Sequence, residues 1–266
     1  MTTNQSDMNL TKATGLIAID IGNSRIKILT ESDYFSSEYK ENWFDSLRYF
    51  LSKITGKQIL GISQVNSIIY NKFLDIIDDN ADLQPVSVDI LLQNQKILKY
   101  NHIKGIGSDR LMGMIGALSI TNPPLITIDC GTATTVNFIN LDSVCLGGLI
   151  FAGMKTQIMA LTEHTDRLKD TELFFNESVL GENSDDCIRL GVIYSTVGAI
   201  KEAINRTIAA ELIPNNKLTL VFTGGLSKII LKYFENTADN IIYDENLVLK
   251  GINYLLKSDN FVNISK

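Results

Sequence analysis

The sequence predicts an α/β protein built from two similar halves, each with a mixed sheet. Short apolar strand-like runs alternate with helix-like segments along the 266 residues, the pattern of helices packed against sheets. A pattern of Asp, any residue, Gly, then Asn or Thr occurs twice, as Asp20-Ile21-Gly22-Asn23 and Asp129-Cys130-Gly131-Thr132, 109 positions apart. Each copy follows an apolar run and precedes an alternating strand. A repeat of that length far exceeds a solenoid period and points to duplicated halves.

The elements follow in order. Residues 1–14 are polar and read as a flexible N-terminal tail. Leu16-Ile17-Ala18-Ile19 is a continuous apolar run, as in a strand buried on both faces. Gly22 then turns the chain into a second strand, where Ile26 and Ile28 flank Lys27. Residues 40–54 and 66–78 have helical spacing, and Asp109 reads as opening a helix over 109–119. The break Asn122-Pro123-Pro124 is the predicted boundary, giving domains over 15–121 and 122–266. Beyond it, 125–139 repeats the strand-turn-strand design and 153–168 has helical character. Ile188, Val192, Thr196, Ile200, Ile204 and Ile208 recur every four residues, with Ile193 and Val197 widening the stripe, so 185–210 reads as a long amphipathic helix. Residues 218–226 form a strand ending in a glycine turn.

Composition excludes several classes. Hydrophobic residues are 45% and charged residues 20%, enough for two cores without a metal or disulfide staple. A net charge of −6 argues against nucleic acid and anionic membranes as partners. Cys130, Cys145 and Cys187 are scattered and odd in number, which disfavours structural zinc and a disulfide framework. With no apolar leader and no long apolar span, the expected location is the cytoplasm. His102 and His164 have no neighbouring ligand partners, the aromatics around Trp43 read as core, and Asp75, Asp78, Asp79 and Asp82 read as a solvated face.

The two Asp-x-Gly turns carry the strongest chemical signal. A glycine after a strand lets backbone N–H groups approach an anion closely. The small polar residues after it (Asn23, Ser24; Thr132, Thr134, Thr135) add donors for phosphate oxygens. The preceding carboxylate suits Mg²⁺ held through water, and Lys27 offers a compact positive charge. Facing each other, the two hairpins would clamp a nucleoside triphosphate. Thr223-Gly224-Gly225 gives a third close backbone approach, suited to the adenosine moiety. No GxxxxGK[ST] loop and no protein-kinase signature is present. The loop from Tyr100 to Arg110 has two readings. In one, Asp109 merely caps a helix; in the other it takes a proton from an attacking hydroxyl while the forked guanidinium of Arg110 pairs with a substrate carboxylate.

Together these segments resemble the type III pantothenate kinase family from about residue 16 onward. Asp20-Ile-Gly-Asn-Ser-Arg-Ile-Lys27 is similar to the family's D-x-G-N-T-x-x-K, Gly107-Ser-Asp109-Arg110 to G-x-D-R, and Asp129-Cys-Gly-Thr-Ala-Thr134 to D-x-G-T-A-x-T. Gly147 to Gly153 resembles G-G-x-I-x-P-G, Gly181 to Ser184 resembles G-x-N-T, and Thr223-Gly224-Gly225 the closing T-G-G. The resemblance implies two ribonuclease-H-like halves of the actin-like ATPase superfamily. It implies phosphorylation of pantothenate by ATP, the first step of coenzyme A synthesis, with Mg²⁺ and a monovalent cation, K⁺ or NH₄⁺. By the same resemblance Asp109 is the base, and Tyr100, Gly107, Ser108, Arg110 and Ser184 surround pantothenate. Asp20, Ile21, Gly22, Asn23, Ser24, Arg25, Ile26, Lys27, Gly131, Thr132, Thr223, Gly224 and Gly225 serve ATP, Asp20 carries Mg²⁺ through water and Asp129 the K⁺ site. A homodimer is implied as well. The chain departs from the family at Ser24 and Ser184, where Thr is usual, and at Ala152, where Pro is usual. Another kinase or a polyphosphate phosphatase of the superfamily, or a non-catalytic regulator on the same scaffold, are the competing readings.

Overall fold

A computed structural model describes residues 13–258 apart from 94, 166, 167, 169, 176 and 215. Residues 1–12, most of the expected tail, lie outside that set. The chain divides into two compact units.

The first unit holds a five-stranded sheet in the order β3-β2-β1-β4-β5. Its strands are β1 (Gly15–Ile21), β2 (Arg25–Leu29), β3 (Tyr34–Glu38), β4 (Gln58–Gln64) and β5 (Leu83–Ser87). Hairpin neighbours β1–β2 and β2–β3 run antiparallel, while β1–β4 and β4–β5 run parallel. Parallel pairing needs crossovers. Helices α1 (Trp43–Leu51) and α2 (Ser67–Ile77) supply them, α2 opening on Asn66, whose side chain accepts from the Ile69 N–H at 3.2 Å. Three shorter or later helices complete the unit: α3 (Val88–Leu92), α4 (Ser108–Leu118) and α8 (Leu247–Leu256).

The two faces of this sheet differ. Ile17, Ile19, Ile21, Ile26, Ile28, Leu60 and Ile62 point to one face and form a buried core with Leu47 of α1 and Phe73 of α2. The other face carries Ala18 and Gly61 side by side. Those small residues admit α8: a Cβ at Gly61 would fall 2.7 Å from Ile252 and 2.9 Å from Leu256. Among the aromatics read as core, Trp43 and Phe50 pack against the cluster, whereas Tyr49 is exposed. Asp75, Asp78, Asp79 and Asp82 are exposed, as read from the sequence.

The second unit repeats the design. Its strands are β6 (Leu125–Cys130), β7 (Ala133–Ile139), β8 (Cys145–Ala152), β9 (Thr219–Thr223) and β10 (Asn240–Tyr243). Read from the hairpin end, their order is β8-β7-β6-β9-β10, with the same alternation of antiparallel and parallel pairs as in the first unit. Helices α5 (Met154–Glu163), α6 (Ser184–Ala209) and the short α7 (Ser227–Ile230) belong to it. The expected stripe on α6 is buried at Ile188, Val192, Ile193, Thr196, Val197, Ile200 and Ile204, and packs with Ile126, Ile128, Phe222 and Phe234. Arg189 on the same helix is buried beneath Phe174, 3.8 Å from its ring centre, and donates to the Glu172 carbonyl at 2.8 Å. No helix among the described residues is long and apolar enough to cross a membrane.

The units are not the contiguous 15–121 and 122–266 read from the sequence. Residues 98–104 join the second unit, and the C-terminal helix α8 returns to the first. The return depends on two glycines meeting across α4 and α8. A Cβ at Gly116 would lie 2.0 Å from the Leu247 carbonyl oxygen, and one at Gly251 would lie 2.0 Å from that of Met112. The helix backbones therefore touch, and no larger residue fits without parting them. We expect Gly116→Ala and Gly251→Ala each to lose about 1–3 kcal/mol of stability, the usual cost of overpacking. Gly113→Ala, whose Cβ meets nothing within 4 Å, should gain up to about 1 kcal/mol of helix propensity. Urea denaturation midpoints check both; equal midpoints for Gly113→Ala and Gly116→Ala would disprove the close-contact account.

Candidate active site

In the first unit, Asp20 stands one residue from the end of β1, between Lys27 on β2 and Ser63 on β4; Lys27 in turn pairs with Ser36 on β3. Registered neighbours share a face. Ser36, Lys27, Asp20 and Ser63 therefore form a polar row across the end of the face that α8 covers further back. Asp20 and Lys27 are half-buried and Ser63 is fully buried.

The turn after Asp20 is closed by the Gly22 N–H donating to the Arg25 carbonyl at 3.0 Å. Ile21 and Ile26 are buried beneath it, so these two residues predicted to serve ATP anchor the turn in the core, while Asn23 and Ser24 are exposed. The Tyr39 hydroxyl donates to the Gly22 carbonyl at 3.0 Å, and the Tyr39 N–H to the Ser24 carbonyl at 3.3 Å. Arg25 donates to Glu38 at 2.8 Å. Lys40 and Arg25 hold the Glu38 carboxyl below the usual carboxylate range.

The second candidate loop lands on the same polar row. Ser108 opens α4, and its hydroxyl lies 3.1 Å from that of Ser63 and donates to the Gln64 carbonyl at 3.3 Å. Gly107 is the N-cap and supplies no side-chain cap, so Asp109 does not open the helix but is its second residue. The Asp109 carboxylate accepts from the Arg110 N–H at 2.8 Å, in the first turn, where the helix dipole favours negative charge. A Cβ at position 107 would sit 2.6 Å from that carboxylate oxygen, which ties the glycine of the Gly-Ser-Asp-Arg motif to the aim of Asp109. Arg110 lies half-buried beside it. The first unit thus gathers Asp20, Lys27 and the head of α4 at one end of one sheet.

In the second unit, Asp129 occupies the place of Asp20, between Thr135 on β7 and Thr223 on β9. By topology Thr223 is the counterpart of Ser63. Gly224, at φ +86°, passes so close that a Cβ there would meet an Asp129 carboxylate oxygen at 2.4 Å and the Cys130 backbone at 2.7 Å. Gly225 follows, exposed, before α7. The Gly131 N–H donates to the Ala133 carbonyl at 3.2 Å. The Thr132 carbonyl accepts from the Gly153 N–H at 3.0 Å and from the Thr156 hydroxyl at 2.7 Å. A Cβ at Gly153 would fall 2.2 Å from the Gly131 carbonyl oxygen, so the glycine capping α5 is there to let the turn close on it. Ala152, where the family usually has Pro, is held instead by Gln157, whose side-chain amide donates to its carbonyl at 2.8 Å. The thiol of Cys130 beside Asp129 is pushed up to about 12 by burial, opposed by the Ser227 and Thr134 hydroxyls, and stays protonated.

Two more predicted residues belong to the second unit. Ser184 is the exposed first residue of α6, whose cap Asn183 accepts from the Asp186 N–H at 3.0 Å. It lines an open groove of about 1030 Å³ between α5 and α6, together with Gln157, Ala160, Cys187 and Ser195. Tyr100 follows Lys99, which pairs with Val144 just before β8 begins, whereas the Asp129 turn meets Gly153 just after β8 ends. The eight residues of β8 lie between the two places, which are roughly 30 Å apart at strand rise.

Sequence reading missed Ser63, Tyr39 and Gln157. Ser63 carried one faint signal, a lone hydroxyl near the end of an apolar run; the other two carried none. Among the described residues no three His, Cys, Asp or Glu side chains gather to hold a metal ion.

The type III pantothenate kinase family model matches residues 16–206. The chain is 30% identical over 251 residues to the type III pantothenate kinase of Legionella pneumophila (strain Corby), covering 89% of this chain and 96% of that one. Among solved structures it is similar to a Baf family protein from Campylobacter jejuni, with 22% identity, a TM-score of 0.61 and coverage of 91% and 97%. It is also similar to an archaeal actin homologue, with 12% identity, a TM-score of 0.52 and coverage of 92% and 100%. The last two likenesses concern the fold, and place the paired five-stranded sheets in the actin-like class. A family match over most of the chain, on a duplicated sheet whose two strand-end aspartates both lead into glycine turns, makes this protein a member of the type III pantothenate kinase family.

Proposed function

We propose that this chain transfers the γ-phosphoryl group of ATP to the primary hydroxyl of pantothenate, giving 4′-phosphopantothenate and ADP. The observation that carries this reading is the polar row of the first unit. It ties the nucleotide turn at Asp20 to the head of α4, and so to Asp109, through Ser63 and Ser108.

In the reaction a bond forms from the pantothenate oxygen to Pγ and the bond from Pγ to the bridging oxygen breaks, ADP leaving with that electron pair. Asp109 holds the hydroxyl and takes its proton. Arg110 pairs with the pantothenate carboxylate, with Tyr100, Gly107, Ser108 and Ser184 as its further surroundings. Asp20, Asn23 and Lys27, on the Gly22 turn with Ser24 and Arg25, serve the phosphates, and Gly131, Thr132, Thr223, Gly224 and Gly225 serve the nucleotide from the second unit. Such transfers ask the protein mainly for positioning and charge neutralisation.

The residues also fit the two ions. Asp20, a half-buried carboxylate, suits Mg²⁺ that keeps its water and leans on substrate phosphates. Asp129, approached so closely by Gly224 that a methyl group would fill the space, suits K⁺ or NH₄⁺. When bound, the ions would offset phosphate charge. The same reading carries a cytoplasmic location with it. A homodimer belongs to the same reading.

A coupled ADP-release assay with pantothenate is expected to show turnover that rises when K⁺ replaces Na⁺; ATP turnover indifferent to pantothenate would refute the substrate. Asp109→Asn should keep its melting temperature and lose about 10²–10⁴ in kcat, the usual worth of general-base help. Near wild-type kcat would remove Asp109 from that role. Arg110→Ala should raise the pantothenate KM and leave the ATP KM little changed, and equal rises in both would take Arg110 out of the substrate pocket. Sedimentation equilibrium should give twice the chain mass; a monomer at micromolar concentration counts against the dimer.

A further inference from the structure

We propose that Tyr39 is a positioning residue for the nucleotide turn, holding two carbonyls of the Gly22–Ser24 loop so that the Asn23 N–H faces the triphosphate. This rests on the ATP-binding reading of that loop and deepens it.

The geometry is a clamp from one residue. The hydroxyl of Tyr39 donates to the Gly22 carbonyl at 3.0 Å, and its own N–H donates to the Ser24 carbonyl at 3.3 Å. In a trans peptide C=O and N–H point in opposite directions. Turning the Gly22 carbonyl toward Tyr39 therefore turns the N–H of the same peptide unit, that of Asn23, to the other side. Glycine tolerates either orientation of that unit, so without the hydroxyl the peptide can rotate and present its oxygen where a phosphate needs a donor. Backbone N–H groups gathered in a turn are what binds an anion; an inward carbonyl repels it.

Tyr39 is well held for the task. It follows β3 directly, and Glu38 before it is paired with Arg25 across the hairpin, with the side chains bridged at 2.8 Å. Its ring meets Trp43 of α1 edge-on at 5.2 Å, a packing that Phe at the same position would keep. Burial, and then the charge of Asp20, push its hydroxyl up from the ordinary tyrosine range, so it remains a donor at neutral pH and cannot add negative charge beside the phosphates.

Tyr39→Phe removes the hydroxyl alone. The KM for ATP should rise about fivefold, the effect of one ordinary hydrogen bond, with the pantothenate KM and the melting temperature unchanged. An ATP KM within twofold of wild type would overturn the proposal. So would equal rises in both KM values with a lower melting temperature, which would mark Tyr39 as structural only. Calorimetric titration with the non-hydrolysable analogue AMP-PNP and Mg²⁺ separates the two levels of inference. A wild-type protein that takes up no AMP-PNP overturns the nucleotide reading and this proposal with it. A wild type and a Tyr39→Phe variant that bind it equally well overturn the positioning role alone.

Discussion

The structure turns on where a strand-end carboxylate can sit. Each sheet places an aspartate on the face opposite its main core, next to the strand's end, with a hairpin partner on one side and a parallel partner on the other. Such a position is narrow. One residue earlier in β1 the side chain would enter the core with Ile19; one later it would do so with Ile21. The two-residue pleat allows the carboxylate only on the alternate face, and the glycine two positions on lets the chain turn there without crowding the carboxylate. In the first unit the Gly22 turn and the head of α4, and in the second the Gly131 and Gly224 turns, are arranged around that point.

What surrounds the point is built by close approach rather than by long side chains. Gly61 lets α8 settle on the back of the first sheet, and Gly116 with Gly251 lets α4 lie against α8. That packing fixes where α4 begins, and the Ser63–Ser108 contact pins its first residue beside Asp20. Asp109 is thus located by a chain of backbone contacts that starts at the C-terminal helix. In the second unit Gly153 and Gly224 do the same for the Asp129 turn, each coming within van der Waals range of the carbonyl or carboxylate it serves. A methyl group at Gly116, Gly251, Gly153 or Gly224 would run into backbone atoms and has nowhere to go.

The legible part of the sequence was the part with local punctuation. Asp20-x-Gly22 and Asp129-x-Gly131 announce strand, turn and strand within a dozen residues, and the four-residue period of α6 announces a buried stripe. Ser63 escaped notice because its strand ends in Gln64-Val65 without a glycine, although topology makes it the counterpart of Thr223, whose glycines drew the eye. The strand β8 was read as a motif and not as a strand, since Gly147 and Gly148 lack strand propensity. Gly148 is nonetheless required there, its place lying 1.9 Å (Cβ to oxygen) from the Val136 carbonyl. The domain boundary went astray for a non-local reason: nothing near residue 247 tells that α8 belongs with a sheet formed some two hundred residues earlier. Tyr39 was invisible on the same ground, for its partner carbonyls lie across a hairpin.

Duplication gave two equal frames, and the residues in the two rows then diverged in charge. In the first unit the row Ser36, Lys27, Asp20, Ser63 contains one cation and one anion and is neutral as a whole. In the second, Asp129 stands in a row with Ile150, Thr135 and Thr223 and the row keeps one negative charge. A neutral row ending in a lysine tolerates a polyphosphate nearby, since it adds no repulsion and Lys27 supplies attraction. A row with an excess charge repels a polyphosphate unless a cation accompanies it, and a single carboxylate beside hydroxyl groups is weak enough to suit a monovalent ion in the proposed reading. On the proposed function, the difference between Lys27 and Thr135 at equivalent places assigns the two halves different duties, the first toward phosphate and the second toward an ion.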